Sequence, residues 1–160
     1  MTSTAPAVRG AARSVVEPVR QSTTVRSDRD HVFDVFVREL GQWWPTHPLS
    51  LGGADRVVKL VVEERLDGRV YEVWDDGTEA DWGRILRWEP PERFAMTWRS
   101  TTRHEGGAET EVELRFVALG PSLTRVELEH RGWERLSADV TGSYGKGWAM
   151  VLERFAAHCA

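Results

Sequence analysis

The sequence predicts an α+β domain: a curved antiparallel sheet of about seven strands wrapped round a long C-terminal helix, with two short helices after the first strand. Three observations predict it. The apolar period is two through most of residues 57–131. The connections between those stretches are short and carry turn chemistry. The chain then closes on one apolar stripe at helical spacing.

The elements follow in order. Residues 1–18 are rich in Ala, Thr, Ser, Val and Arg and show no apolar period, so a disordered extension is expected there, with a single domain over 19–160. Val19, Gln21, Thr23 and Val25 alternate with Arg20, Ser22 and Thr24, a strand pattern. Ser27-Asp28-Arg29-Asp30 supplies a helix cap with acidic residues in the first turn. Val32, Phe33, Phe36, Val37 and Leu40 continue at helical spacing, and Gly41 is expected to end that helix. Trp43-Trp44-Pro45-Thr46-His47-Pro48 reads as a short helical turn and a loop, because its two prolines restrict the backbone.

Six further strands are expected over Val57–Arg65, Arg69–Trp74, Trp82–Trp88, Phe94–Arg99, Glu111–Ala118 and Leu123–Arg131. Asp67-Gly68 and Asp76-Gly77 are hairpin signals, and Pro90-Pro91 and Gly120-Pro121 break strands. His104–Ala108, with Gly106-Gly107, reads as a flexible hairpin tip. Tyr144, Trp148, Val151, Leu152 and Phe155 form the closing stripe, opposite Lys146, Glu153 and Arg154. A sheet with one face to cover and one long amphipathic helix to cover it make a helix-grip arrangement, with room for a cavity between them.

Composition excludes several function classes. The 160 residues carry a formal charge of −4, and no basic patch of the kind that holds nucleic acid is present. No apolar run approaches the ~18 residues of a membrane span, and no secretory signal is found, so a cytoplasmic protein is expected. The single cysteine, Cys159, cannot build a disulfide framework or a thiolate zinc site. The five His residues have no metal-ligand spacing; His47 lies between prolines and is expected at the surface. Gly142–Gly147 resembles a phosphate loop but lacks its G-x-x-x-x-G-K-[ST] order. No Gly-x-Ser-x-Gly elbow is present. No cofactor, metal or catalytic residue is therefore assigned. Of the 21 basic residues only Lys59 and Lys146 are Lys, a usage that suits a GC-rich genome.

The eight Trp carry more information. Each buried indole N–H needs a partner, so many Trp in a small domain mean a large aromatic core or an aromatic-lined cavity. By alternation, Trp82, Arg84, Leu86 and Trp88 share one strand face. Phe94, Met96 and Trp98 share the next, and Val112, Leu114 and Phe116 the one after; these faces are expected to meet Tyr144, Trp148 and Phe155. Glu72 shares a face with Val70 and Trp74, and Trp82-Gly83 suits a place where a close neighbour forbids a side chain on the second residue. A carboxylate or guanidinium inside such a cavity must be paired, and either could orient a polar ligand group. The expected lining is Glu72, Trp74, Trp82, Arg84, Trp98, Phe116, Tyr144 and Trp148.

Several of these segments occur together in one known family. Tyr71-Glu72-Val73-Trp74-Asp75-Asp76-Gly77, Trp82-Gly83-Arg84-Ile85, Pro90-Pro91-Glu92-Arg93-Phe94 and Trp98 form one group. His130-Arg131-Gly132-Trp133-Glu134 and the closing Gly147–Phe155 form another. The chain resembles, over about Val19 to Ala157, the activator of heat-shock protein 90 ATPase homologue-like family, within the START-like, birch-pollen-allergen-like superfamily. That resemblance implies the helix-grip fold and small-molecule binding. Relatives that stimulate the chaperone carry a further N-terminal domain, so it implies no chaperone activity here.

The leading expectation is a binding domain for a small apolar or aromatic ligand. A cyclase- or dehydratase-type enzyme using the same cavity is the alternative, with Glu72 as its acid or base. A third reading is a protein-interaction module or homodimer, whose sign would be an exposed apolar patch around Trp43 and Trp44.

Overall fold

The computed structural model describes residues 17–47, 49–99, 109–133 and 138–159, with backbone alone over 138–143. The expected disordered extension, for residues 1–16, and the expected hairpin tip at His104–Ala108 lie outside the described residues.

Strand β1 runs Val19–Val25 and helix α1 Arg29–Arg38, followed by the single-turn helix α2 at Leu40–Trp43. Strands β2 (Val57–Val62), β3 (Arg69–Trp74), β4 (Glu79–Glu89), β5 (Arg93–Arg99), β6 (Glu109–Gly120) and β7 (Leu123–Arg131) come next, and α3 (Ala138–Cys159) closes the chain. All seven strands form one antiparallel sheet in the order β1-β7-β6-β5-β4-β3-β2. The sheet is a curled half-barrel with the helices on its concave side, an α+β helix-grip fold.

Local chemistry sets the boundaries. The Asp28 carboxylate accepts the amide of His31 at 3.1 Å and so caps α1. Gly41 does not end that helix. It ends at Arg38, Glu39 takes the C-cap, and Gly41 lies within α2 against Leu60. Strand β2 stops at Val62, short of the expected Arg65, because Glu63 accepts the Arg69 amide and turns the chain. At the β3–β4 hairpin Gly77 has φ +87°, and Asp76 accepts the Thr78 amide at 2.9 Å. The Pro90-Pro91 pair lies between β4 and β5, where the missing N–H groups end the ladder.

Strand β4 departs from simple alternation. Val70 pairs Gly83 while Tyr71 pairs Asp81, so Trp82 is an extra residue on β4. Ile85 pairs Met96 while Arg87 pairs Ala95, so Leu86 is a second extra residue. Each bulge flips the parity. Trp82, Ile85 and Trp88 therefore turn inward at intervals of three, while Arg84 and Leu86 point outward. The expected shared face of Trp82, Arg84, Leu86 and Trp88 is corrected accordingly.

The core fills the concave face in two sectors. In the first, Phe33 and Phe36 of α1 pack edge-on against Phe116, at 5.0 and 5.9 Å between centroids, and Phe155 of α3 meets Phe36 at 5.1 Å. Phe116 is thus a core residue beneath α1. In the second sector, Trp44, Trp82, Trp98 and Trp148 meet one another with ring centroids 5.0–6.1 Å apart. Trp148, Val151, Leu152 and Phe155 are buried along α3, each contributing roughly 1.5–3 kcal/mol of apolar burial.

Candidate functional site

The second sector encloses a cavity of about 90 Å³, partly open to solvent. Its walls are Trp44, Trp82, Trp98 and Trp148, with Leu49, Ser50 and Leu51 from the loop after α2 and Tyr144 and Val151 from α3. A void of about 30 Å³ adjoins it deeper in the core. The cavity is smaller than the ~300 Å³ lower end of pockets that take drug-sized ligands. Four of the residues expected from the sequence line it: Trp82, Trp98, Tyr144 and Trp148.

Glu72 stands one layer behind that wall and is fully buried. Its Oε1 accepts the Leu51 amide at 2.9 Å and the Trp82 indole at 2.7 Å. Its Oε2 accepts the Gly52 amide and the Trp74 indole, both at 2.7 Å. Among the described residues no cation pairs with it. A buried carboxylate is tolerable without a cation only when its lone pairs are met, and here four donors meet them. Glu72 thereby ties the Leu49–Gly52 segment, which supplies cavity wall, to strands β3 and β4. Gly52 is required, because a Cβ there would run into the Trp74 indole.

The other expected residues lie elsewhere. Trp74 is half-buried outside the cavity, its outer face covered by the Arg56 guanidinium 4.0 Å from the ring centroid. Arg84 is exposed on the convex face and donates to the Asp67 carbonyl at 3.2 Å, because the bulge at Trp82 turns it outward. His47 is exposed. Trp43 and Trp44 form no surface patch: both are buried, with indole N–H groups donating to the carbonyls of Val35 (3.1 Å) and Leu49 (2.6 Å). Satisfied N–H groups and ring packing hold them inside, which removes the expected sign of an interaction surface there.

His130 is the residue that sequence reasoning missed. It is fully buried at the end of β7, beside Trp133 and Tyr144. The Trp148 indole donates to its Nδ1 at 2.8 Å, so the ring proton is placed on Nε2, facing the Thr110 hydroxyl. That hydroxyl donates to the Trp98 carbonyl at 3.1 Å. Burial pushes the imidazole pKa down to about 3 from the usual 6.5, which matches this neutral, fully bonded state. The signal was present in the inward period Thr124, Val126, Leu128, His130. The chain Trp148–His130–Thr110–Trp98 fixes two of the cavity's Trp walls.

A sheet gripping a helix across an aromatic cavity defines a helix-grip protein, an architecture that supports ligand binding in general. More particularly, the chain belongs to the family of Activator of Hsp90 ATPase homolog 1-like proteins, whose model matches residues 26–160. No curated protein matches it. It is similar to the solved structure of an anthrahydroquino-γ-pyrone synthase, Txn09, at 33% identity over 89% of this chain and 96% of that one, with a TM-score of 0.56. It is also similar to CalC, a self-sacrificing resistance protein from Micromonospora echinospora, at 27% identity over 89% and 94% of the two chains, TM-score 0.65. The Aha1 dimer from Colwellia psychrerythraea shares the fold, at 12% identity over 85% and 90% of the chains, TM-score 0.61. No described helix is long and apolar enough to cross a membrane.

Proposed function

We propose that this chain is a cytoplasmic binding domain for a small apolar or aromatic molecule held between the sheet and α3. One observation carries the reading: four of the eight Trp converge on a space of about 90 Å³ that their own packing leaves unfilled. Protein interiors generally close-pack, and the aromatic walls match the apolar lining usual for ligand sites. The volume suits about one ring; a larger ligand extends through the open side. The likeness to a synthase of a polycyclic aromatic product supports an aromatic ligand.

The same likeness favours a second reading, a cyclase-type reaction in this cavity. Glu72 suits the acid or base role poorly, since both of its oxygens are occupied by donors and neither lines the cavity.

The test is titration with N-phenyl-1-naphthylamine, an apolar fluorescent probe, while Trp emission is followed. Saturable one-to-one binding with quenching at tens of micromolar is expected, with Trp98→Ala altering it. Absence of binding at that concentration overturns the reading.

A further inference from the structure

Six of the eight Trp have a named partner for the indole N–H: Val35 O, Leu49 O, Glu72 twice, His130 O and His130 Nδ1. Trp88 is part-exposed. Trp98 is half-buried like Trp88, but its Nε1 is hidden from water and has no hydrogen-bond partner. One other side-chain atom among the described residues shares that condition, the hydroxyl of Tyr144. Both residues line the same cavity. Both rings also stand edge-on to His130, with centroids 6.0 and 5.1 Å from it, so both border the same buried side chain.

A buried polar group without a partner costs free energy comparable to a lost hydrogen bond, and native structures hold few of them. Two in one cavity wall, in a domain that satisfies its other buried indoles, call for a common explanation. Both atoms can donate, and indole can do nothing else. What they lack is an acceptor.

We infer that Trp98 Nε1–H and Tyr144 O–H form the polar end of this cavity and select aromatic ligands that carry a carbonyl oxygen, such as aryl ketones or quinones. The inference rests on the binding reading above and adds the chemistry the ligand must have. Neither atom has surface open to water, so both stay unpaired until a ligand parts the walls. A carbonyl oxygen can accept from either donor, whereas a hydrocarbon ring of similar size leaves them as they are. Discrimination comes from this difference, because a site built to hydrogen-bond rejects an analogue lacking the group.

The experiment compares acetophenone with ethylbenzene, which differ by the carbonyl oxygen, in ligand-observed NMR titrations of the full chain. Wild type is expected to bind acetophenone more tightly. Tyr144→Phe and Trp98→Phe should each weaken acetophenone about fivefold to tenfold and change ethylbenzene less than about twofold. Trp98→Phe also shrinks the ring, and its ethylbenzene affinity controls for that. Tyr144→Phe should leave the melting temperature unchanged or raised, because the hydroxyl it removes had no partner. Equal weakening of both ligands, or none of either, overturns the donor pair while leaving the cavity reading standing. A marked fall in melting temperature for Tyr144→Phe overturns it too. If neither ligand binds at millimolar concentration while N-phenyl-1-naphthylamine does, the carbonyl assignment alone falls. If no probe binds, both readings fall.

Discussion

The indole of Trp82 donates to Oε1 of Glu72 at 2.7 Å, joining the cavity wall on β4 to a buried carboxylate on β3. The bulge at Trp82 makes the bond possible by turning that ring onto the face where Glu72 already points. Three more donors complete the carboxylate's shell, two of them backbone amides of the loop that forms the opposite wall.

Glu72→Gln should therefore be far from conservative. The amide nitrogen has no lone pair to offer, so two of the four N–H donors would face another donor. A loss of about 3 kcal/mol or more is expected, since each orphaned buried donor costs ~1–3 kcal/mol. Urea denaturation measures it. A loss below about 1 kcal/mol would mean that the Leu51–Gly52 strap is not fastened by this residue.

His130 should make stability fall with acid before the carboxylates do. Its pKa is about 3 when folded and near 6.5 when unfolded, so between those values the unfolded chain binds a proton that the native one refuses. Above pH 6.5 the residue is neutral in both states and has no effect. Below it, stability should drop by up to ~1.4 kcal/mol per pH unit until about pH 3. Between pH 7 and 5 the slope should be flatter in His130→Gln, with chemical denaturation read at each pH. Equal slopes in the two proteins would remove His130 as the cause.

Two glycine substitutions should act in opposite directions. A Cβ on Gly83 would collide with the Thr97 carbonyl of the neighbouring strand, so Gly83→Ala should cost about 1–3 kcal/mol or more. Gly145 lies in α3 with open space where its Cβ would be, so Gly145→Ala should stabilise by roughly 0.5–1 kcal/mol. Thermal melts of the two variants give the signs directly.

These residues also show what could be read before the structure. Period two placed Val70, Glu72 and Trp74 on one face, and the close approach at Gly83 followed from a glycine inside an aromatic strand. Helical spacing gave α3 its buried side. Arg84 was misplaced because a bulge leaves no compositional mark; it is visible only as a skipped pairing. The Glu72 shell was hidden for a different reason. Half of its donors are backbone amides of Leu51 and Gly52, and every residue but proline has one. His130 was legible but unread: it extends an inward series whose other members are ordinary core residues.

Trp148 joins these parts, and its removal should test the helix grip itself. It is buried at the middle of the α3 stripe, meets Trp44 and Trp98 across the cavity sector, and donates to His130 Nδ1. Trp148→Ala deletes the ring's apolar burial and leaves a void, a change that costs ~3–5 kcal/mol in well-packed cores. It also leaves the His130 nitrogen without its donor, which adds to the loss unless water enters the enlarged cavity. Trp148→Phe keeps much of the ring but not the N–H, so the difference between the two variants separates packing from the hydrogen bond. Urea titration should place Trp148→Ala at least 3 kcal/mol below wild type, with Trp148→Phe between them. The larger void predicts a second change: Trp148→Ala should bind N-phenyl-1-naphthylamine at least as well as wild type, despite its lower stability. A loss below about 1 kcal/mol would show that α3 is peripheral to the sheet, and the account of the cavity as a space between them would fail with it.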